Sequence, residues 1–331
     1  MNIGTRQGLA TALVAVLLLG GCATRFDLQG HRGARGLAPE NTLTAFARAL
    51  DIGVSTLELD VGITRDGVVV VSHDRYLNAD IARGPDGQFL NERGPVIAAA
   101  SFAELQRYDV GRIKPGSAYA RAFTTQQGVD GERVPTLRAV FDLVRQRGAS
   151  TVRFNIETKI SPLVPEETLA PEPFVRALIA EIRRAELVSR ATIQSFDWRT
   201  LQIAQKEAPD IVTVYLTSQQ GAGDTVQVGR AGASPWLAGF DADDHGGSLP
   251  RTVKAAGGTV WSPNYKDVTA ALVQEAHALG LKVIPWTVND EADILRLLDW
   301  HVDGLISDYP DRLRALLQRR GMALPERYPA R

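Results

Sequence analysis

The sequence predicts an α/β protein, a (β/α)8 TIM barrel. Three observations predict it. Short β-rich runs alternate with amphipathic helical patterns from Phe26 onward, and that alternation builds a parallel sheet. The chain has 331 residues, which suits eight such units in one domain. No GxGxxG follows a strand candidate, which sets aside the doubly wound open sheet.

In chain order, the first segment stands outside the barrel. MNIGTRQ carries one positive charge, and LATALVAVLLL is an apolar run too short to span a bilayer. Gly20, Gly21 and Cys22 follow, and Leu19-Gly20-Gly21-Cys22 resembles a bacterial lipobox. The expectation is a signal peptide over 1–21, lipidation of Cys22, and a short tether over 22–25. That makes the mature chain an exported lipoprotein, anchored in a membrane and facing the periplasm or cell exterior. Ala23 favours the outer membrane where the host has one. Cys22 is the only cysteine, so no disulfide forms within the chain.

The barrel pattern then runs over 26–320, with 321–331 as a tail. Strands are predicted near FDLQG, VSTLELDV, VVVVS, TVRFNIE, ATIQSF, IVTVYLT, TVWSP, LKVIPWTV and DGLISD. That is nine candidates for eight positions, and TVWSP is the weakest. Helices fit TLTAFARALD, LRAVFDLVRQRG, PFVRALIAEIRRAEL, DWRTLQIAQKEA, VTAALVQEAHALG, EADILRLLDW and PDRLRALLQRR. Residues 76–134 break the rhythm and read as an insertion after the third strand, on the catalytic face. Residues 218–250 read as a mobile surface excursion. The formal charge is −1 and aromatics do not interleave with basic runs, so nucleic acid is not an expected partner. No obligate protein partner is evident.

The charged residues collect at strand ends. Glu58 and Asp60 lie at i and i+2, so both face one side of their strand. Outward against helices they would be costly; inward they make a site. Asp66-Gly67 turns the chain toward His73. A two-residue hairpin would set Asp60 opposite His73, and a parallel return would bring His73 to the same rim. Glu157 and Lys159 repeat the i, i+2 pattern on another strand. Three carboxylates without Cys or clustered His suit one hard divalent cation, Ca²⁺ or Mg²⁺. His31-Arg32 ends the first strand on that rim. Two histidines, a cation and basic clamps suit phosphoester chemistry.

HRGARGLAPENT, ELDVGITRDGVVVVSHD, NIETK, IQSF, VIPWTVN and DGLISDYP together resemble the glycerophosphodiester phosphodiesterase family, from about Leu28 to Leu313. The resemblance implies a distorted TIM barrel with Glu58, Asp60 and Glu157 on the cation. It implies His31 and His73 as the acid/base pair, and Arg32 and Lys159 on the phosphate. Trp286 would line the glycerol and leaving-group side. Glu40 and Asn41 read as positioning groups, with Asn41 or Thr42 near a helix N-cap. Gln194 and Ser195 end a strand and are expected to line the pocket. The implied reaction is metal-dependent hydrolysis of glycerophosphodiesters, the deacylated phospholipids, to sn-glycerol 3-phosphate and an alcohol through a cyclic phosphate. The alternatives are a lysophospholipase D type activity and a non-catalytic phosphoester-binding lipoprotein.

Overall fold

The computed structural model describes residue 1 and residues 26–330, so the expected signal peptide, Cys22 and the tether lie outside the described residues. Nine strands follow in chain order: β1 Asp27–Gly30, β2 Thr56–Ile63, β3 Val69–Val71, β4 Arg153–Thr158, β5 Ala191–Ser195, β6 Val212–Thr217, β7 Val260–Pro263, β8 Lys282–Val283 and β9 Gly304–Ser307. Eight of them pair in parallel in the order β8-β7-β6-β5-β4-β2-β1-β9. The two ends of that path meet through single backbone bonds. Asp303 N donates to Val283 O at 2.9 Å, and Ile306 N donates to Pro285 O at 3.0 Å. The architecture is therefore a nearly closed (β/α)8 barrel.

The odd strand is not the one expected. TVWSP is a barrel strand, β7, paired with β6 and β8. VVV is the strand outside the barrel path, antiparallel to β2 in register Val61↔Val71. The turn has three residues rather than two. Thr64 N donates to Val68 O, Gly67 N donates to Thr64 O, and Gly67 takes φ 79. A type I turn closed by a left-handed glycine moves the pairing by one residue from an Asp-Gly two-residue hairpin. Asp60 O accordingly receives Ser72 N, and His73 lies one residue beyond.

The valine run is still buried on both faces. Val69 and Val71 join the main core, whereas Val70 joins a second cluster with Leu77, Ile97, Leu105 and Val110. The insertion thus carries its own small core, and β3 separates it from the barrel. β2 shows the alternation that makes a site: Leu57, Leu59 and Val61 point into the outer core, and Glu58 and Asp60 point into the barrel.

Ten helices are described: α1 Leu43–Ile52, α2 Phe102–Leu105, α3 Ala118–Ala122, α4 Leu137–Gln146, α5 Pro171–Arg184, α6 Trp198–Glu207, α7 Leu249–Ala255, α8 Ala270–Ala278, α9 Glu291–Asp299 and α10 Pro310–Arg319. α2 and α3 belong to the insertion, and α2 starts with a Ser101/Glu104 capping box. The 218–250 excursion is anchored: Val226, Leu237 and Ala242 enter the main core. A few apolar residues spread through glycines have no period to detect. Near the C-terminus, Tyr328 is buried and its N–H donates to Leu50 O at 2.9 Å. No helix among the described residues is long and apolar enough to cross a membrane.

Candidate active site

The site begins at the turn after β1. His31 N donates to Ser307 O at 2.9 Å, which ties the turn to β9. Arg32 takes φ 49 and Gly33 φ 86, both in the left-handed region. A Cβ at Gly33 would lie 2.6 Å from the Ala45 carbonyl carbon, so only glycine lets the turn sit on α1. Thr42 is the N-cap of α1 and accepts from Ala45 N. Arg32 is buried, with Nη1 donating to Glu40 Oε1 at 2.6 Å and Nε 3.3 Å from Asp60 Oδ2. Its backbone N–H donates to Glu58 Oε2 at 2.9 Å. Asn41 donates to Asp60 Oδ2 at 2.9 Å, so Glu40 and Asn41 act as positioning groups.

Glu58, Asp60 and Glu157 each offer a ligand oxygen within 4.8 Å of the others, and all three are buried. Asp60 and Glu157 are direct register partners across β2 and β4. Such crowding is unfavourable without a cation. Burial, then the charges of Asp60 and Glu157, push the Glu58 carboxyl well above its ordinary value. Burial also pushes Glu157 up to about 7 against the pull of Lys159. Burial acts the same way on Asp60, but His73, Lys159 and Arg32 outweigh it and hold that carboxyl low. Asp60 Oδ1 is buried with no hydrogen-bond partner. An all-oxygen, buried, mutually repelling set with a bare acceptor fits a hard divalent cation.

Both histidines are oriented by carboxylates. His31 Nδ1 lies 2.6 Å from Asp308 Oδ1, and its Nε2 lies 3.9 Å from Glu58 Oε2. His73 Nδ1 lies 2.8 Å from Asp74 Oδ1, and Asp74 Oδ2 accepts from Asn78 at 2.8 Å. An ionised carboxylate only accepts, so each Nδ1 carries a proton, and Nε2 is left as the atom that can take or give one. Burial, followed for His73 by the charges of Arg32 and Lys159, lowers both imidazoles from their ordinary value.

The two histidines, Arg32, Glu58, Glu157, Lys159 and Trp286 all line one cleft that opens to solvent. Lys159 Nζ lies 2.7 Å from Glu157 Oε1. Trp286 donates to Ser262 O at 3.0 Å and meets Phe196 edge-on at 5.3 Å. Every expected site residue among the described ones is thus gathered at the C-terminal ends of the strands. Gln194 lines the cleft as expected and donates to Glu58 Oε1 at 2.6 Å. Ser195 does not: it faces the outer layer, where its hydroxyl accepts from Thr158 at 2.8 Å. Strand alternation sends neighbouring residues to opposite faces.

Sequence reading missed Asp308, Arg35 and Tyr119. Asp308 takes Arg35 Nε at 2.8 Å, Arg35 Nη2 at 3.1 Å and Asn289 Nδ2 at 2.7 Å besides His31. Its position at the C-terminal end of the last strand resembles that of Glu157, which lies one residue before the end of β4. Tyr119, from α3 of the insertion, donates to Glu40, and its hydroxyl accepts from Arg35 at 3.4 Å. No sequence signal ties it to the barrel.

A profile of the glycerophosphoryl diester phosphodiesterase family matches residues 31–312. A glycerophosphodiester phosphodiesterase from Caldanaerobacter subterraneus subsp. tengcongensis is 30% identical over 295 residues, 88% of this chain and 97% of the relative. The crystal structure of a candidate glycerophosphoryl diester phosphodiesterase from Silicibacter pomeroyi superposes with a TM-score of 0.81 at 36% identity, covering 92% of this chain and 96% of that one. An Oleispira antarctica phosphodiesterase, solved with its product sn-glycerol-3-phosphate, shares the fold with a TM-score of 0.63 at 23% identity, covering 88% and 96%.

Proposed function

The chain belongs to the glycerophosphoryl diester phosphodiesterase family and is an enzyme of that activity, and from that premise we propose a mechanism and a substrate. The substrate is a deacylated phospholipid such as glycerophosphocholine, cleaved to sn-glycerol 3-phosphate and an alcohol. One observation carries the reading: two carboxylate-anchored histidines share one cleft with Glu58 and Glu157, which cluster with the buried Asp60. The product held by the Oleispira relative supports the same chemistry.

His31 Nε2 takes the proton of the substrate's glycerol 2-hydroxyl as that oxygen bonds to phosphorus. The bond from phosphorus to the head-group oxygen breaks as that oxygen takes a proton from His73, which enters this step protonated at Nε2 and leaves it neutral. Water then opens the cyclic phosphate with the two histidines in reversed roles. Arg32 and Lys159 hold the phosphoryl oxygens, and Trp286 walls the glycerol side. Glu58, Asp60 and Glu157 would hold Ca²⁺ or Mg²⁺, which when bound offsets negative charge at the phosphoryl group. Export and lipidation at Cys22 complete the proposal. They would place the enzyme at a membrane, in the periplasm or at the cell exterior.

The test follows sn-glycerol 3-phosphate release from glycerophosphocholine after EDTA, with Ca²⁺ or Mg²⁺ added back. Metal-restored turnover that His31→Ala abolishes is the expected result. Choline release from a lyso-lipid alone would favour the lysophospholipase D reading. Phosphodiester binding without turnover under either metal would refute the roles of both histidines. For the anchor, Cys22→Ala should release the protein from the membrane fraction; unchanged retention would refute lipidation there.

A further inference from the structure

A line of buried amides runs through the barrel beneath the acidic cluster. Gln194 Nε2 donates to Glu58 Oε1 at 2.6 Å, and Asn155 Nδ2 donates to Gln194 Oε1 at 2.9 Å. Asn155 Nδ2 also donates to Gln29 Oε1 at 3.0 Å, and Gln29 Nε2 donates to Asp27 Oδ2 at 3.0 Å. Gln29, Asn155 and Gln194 are each at most 2% exposed. Thr192 Oγ1 donates to Asn155 Oδ1 at 2.7 Å, which fills the remaining acceptor of the central amide.

The chain's polarity is dictated by its ends. Glu58, ionised when it holds the cation, and the Asp27 carboxylate can only accept. Each neighbouring glutamine must therefore turn its NH₂ outward and its oxygen inward. Two inward oxygens need one group with two donors between them, and Asn155 supplies it. No member can flip without leaving a buried oxygen facing an oxygen. Glu58 is thus held at both oxygens, Oε1 by Gln194 and Oε2 by Arg32 N–H.

We propose that Gln194, Asn155 and Gln29 form an amide relay that fixes the orientation of Glu58 and so sets the affinity of the acidic cluster for its divalent cation. The proposal rests on the cation reading above. Its members are positioning residues: only Gln194 touches a ligand side chain, and the others act through it. Without the relay, Glu58 is free to turn toward Arg32 or Lys159, and the cluster no longer meets the ion preformed. Outer-sphere partners of metal ligands typically govern about 10- to 100-fold in metal affinity.

The experiment titrates the EDTA-stripped protein with Ca²⁺ and, separately, Mg²⁺ by isothermal calorimetry, in the absence of substrate. Gln194→Met should raise the Kd by about 10- to 100-fold, and Asn155→Leu should raise it by a smaller factor. Thr200→Val is the control. Its hydroxyl sits 3.0 Å from that of Thr158 in an equally buried cluster on the outer face. This control should bind like the wild type although it too loses a buried polar contact. If Gln194→Met fails to fold, Asn155→Leu and Gln29→Leu carry the test. Folded relay variants binding within about twofold of a tight-binding wild type would overturn this inference alone. A wild type that binds neither cation would overturn the cation reading and this inference with it.

Discussion

Replacing Asp308 by asparagine should abolish most of the turnover while leaving the cation cluster intact. The carboxylate serves four donors: His31 Nδ1, two nitrogens of Arg35, and Asn289 Nδ2. An amide has one accepting oxygen. If it turns that oxygen to Arg35 Nη2 and Asn289, its NH₂ faces His31 Nδ1 and Arg35 Nε. The imidazole must then accept at Nδ1 and carry its proton on Nε2, the atom that should take the substrate's proton. Losing a general base costs about 10²- to 10⁴-fold in rate, or about 2.7–5.5 kcal/mol in the barrier. The opposite orientation leaves Asn289 Nδ2 facing another NH₂, at about 1–3 kcal/mol of stability. The assay is steady-state turnover of glycerophosphocholine beside thermal melting and calorimetric cation binding. The expected pattern is a kcat collapse with a much smaller change in KM and in cation Kd. A folded Asp308→Asn enzyme retaining more than about a tenth of the wild-type kcat would refute the reasoning.

Three further outcomes are expected. Burial alone would raise the Asp308 carboxyl, but His31 and Arg35 outweigh it and hold the group well below its ordinary value. Its stabilisation is therefore complete above the unfolded value of about 3.9 and is lost as pH falls below it. Urea unfolding should show the wild type and Asp308→Asn converging between about pH 4 and pH 2, and a constant gap would contradict this. Adding Ca²⁺ or Mg²⁺ at about 100 times its Kd should stabilise the stripped protein by about 2.7 kcal/mol. Asp60→Asn should cancel that rise in Tm, and an equal rise in the variant would place the ion elsewhere. Gly33→Ala, at φ 86 and against Ala45, should cost about 1–3 kcal/mol and most of the activity, measured by melting and turnover. Neutral behaviour would mean the turn can relax.

Strand-end chemistry was legible along the chain. The i, i+2 spacing of Glu58 with Asp60, and of Glu157 with Lys159, states which side chains share a face. A strand's period is a local property of its backbone. The same logic gave His31 and Arg32 their rim, and Thr42 its cap. It failed where an answer depended on what lay beside the strand. VVVV is buried on both faces in either reading, because the insertion's core covers one face. Periodicity could not distinguish an antiparallel flap from a barrel strand.

What the sequence by itself determined was the barrel class, the family's motifs and the inventory of acids, bases and cations at the strand ends. Tertiary structure alone decided how those groups pair. Asp308 is separated from His31 by 277 residues and meets it only because barrel closure sets β1 beside β9, Gly30 opposite Ser307. Tyr119 reaches Glu40 across 79 residues because the insertion folds back over the mouth. The amide relay joins β1, β4 and β5 across the barrel interior, where no periodic signal runs. Local pattern fixes which way a side chain points; only closure of the sheet fixes what it points at.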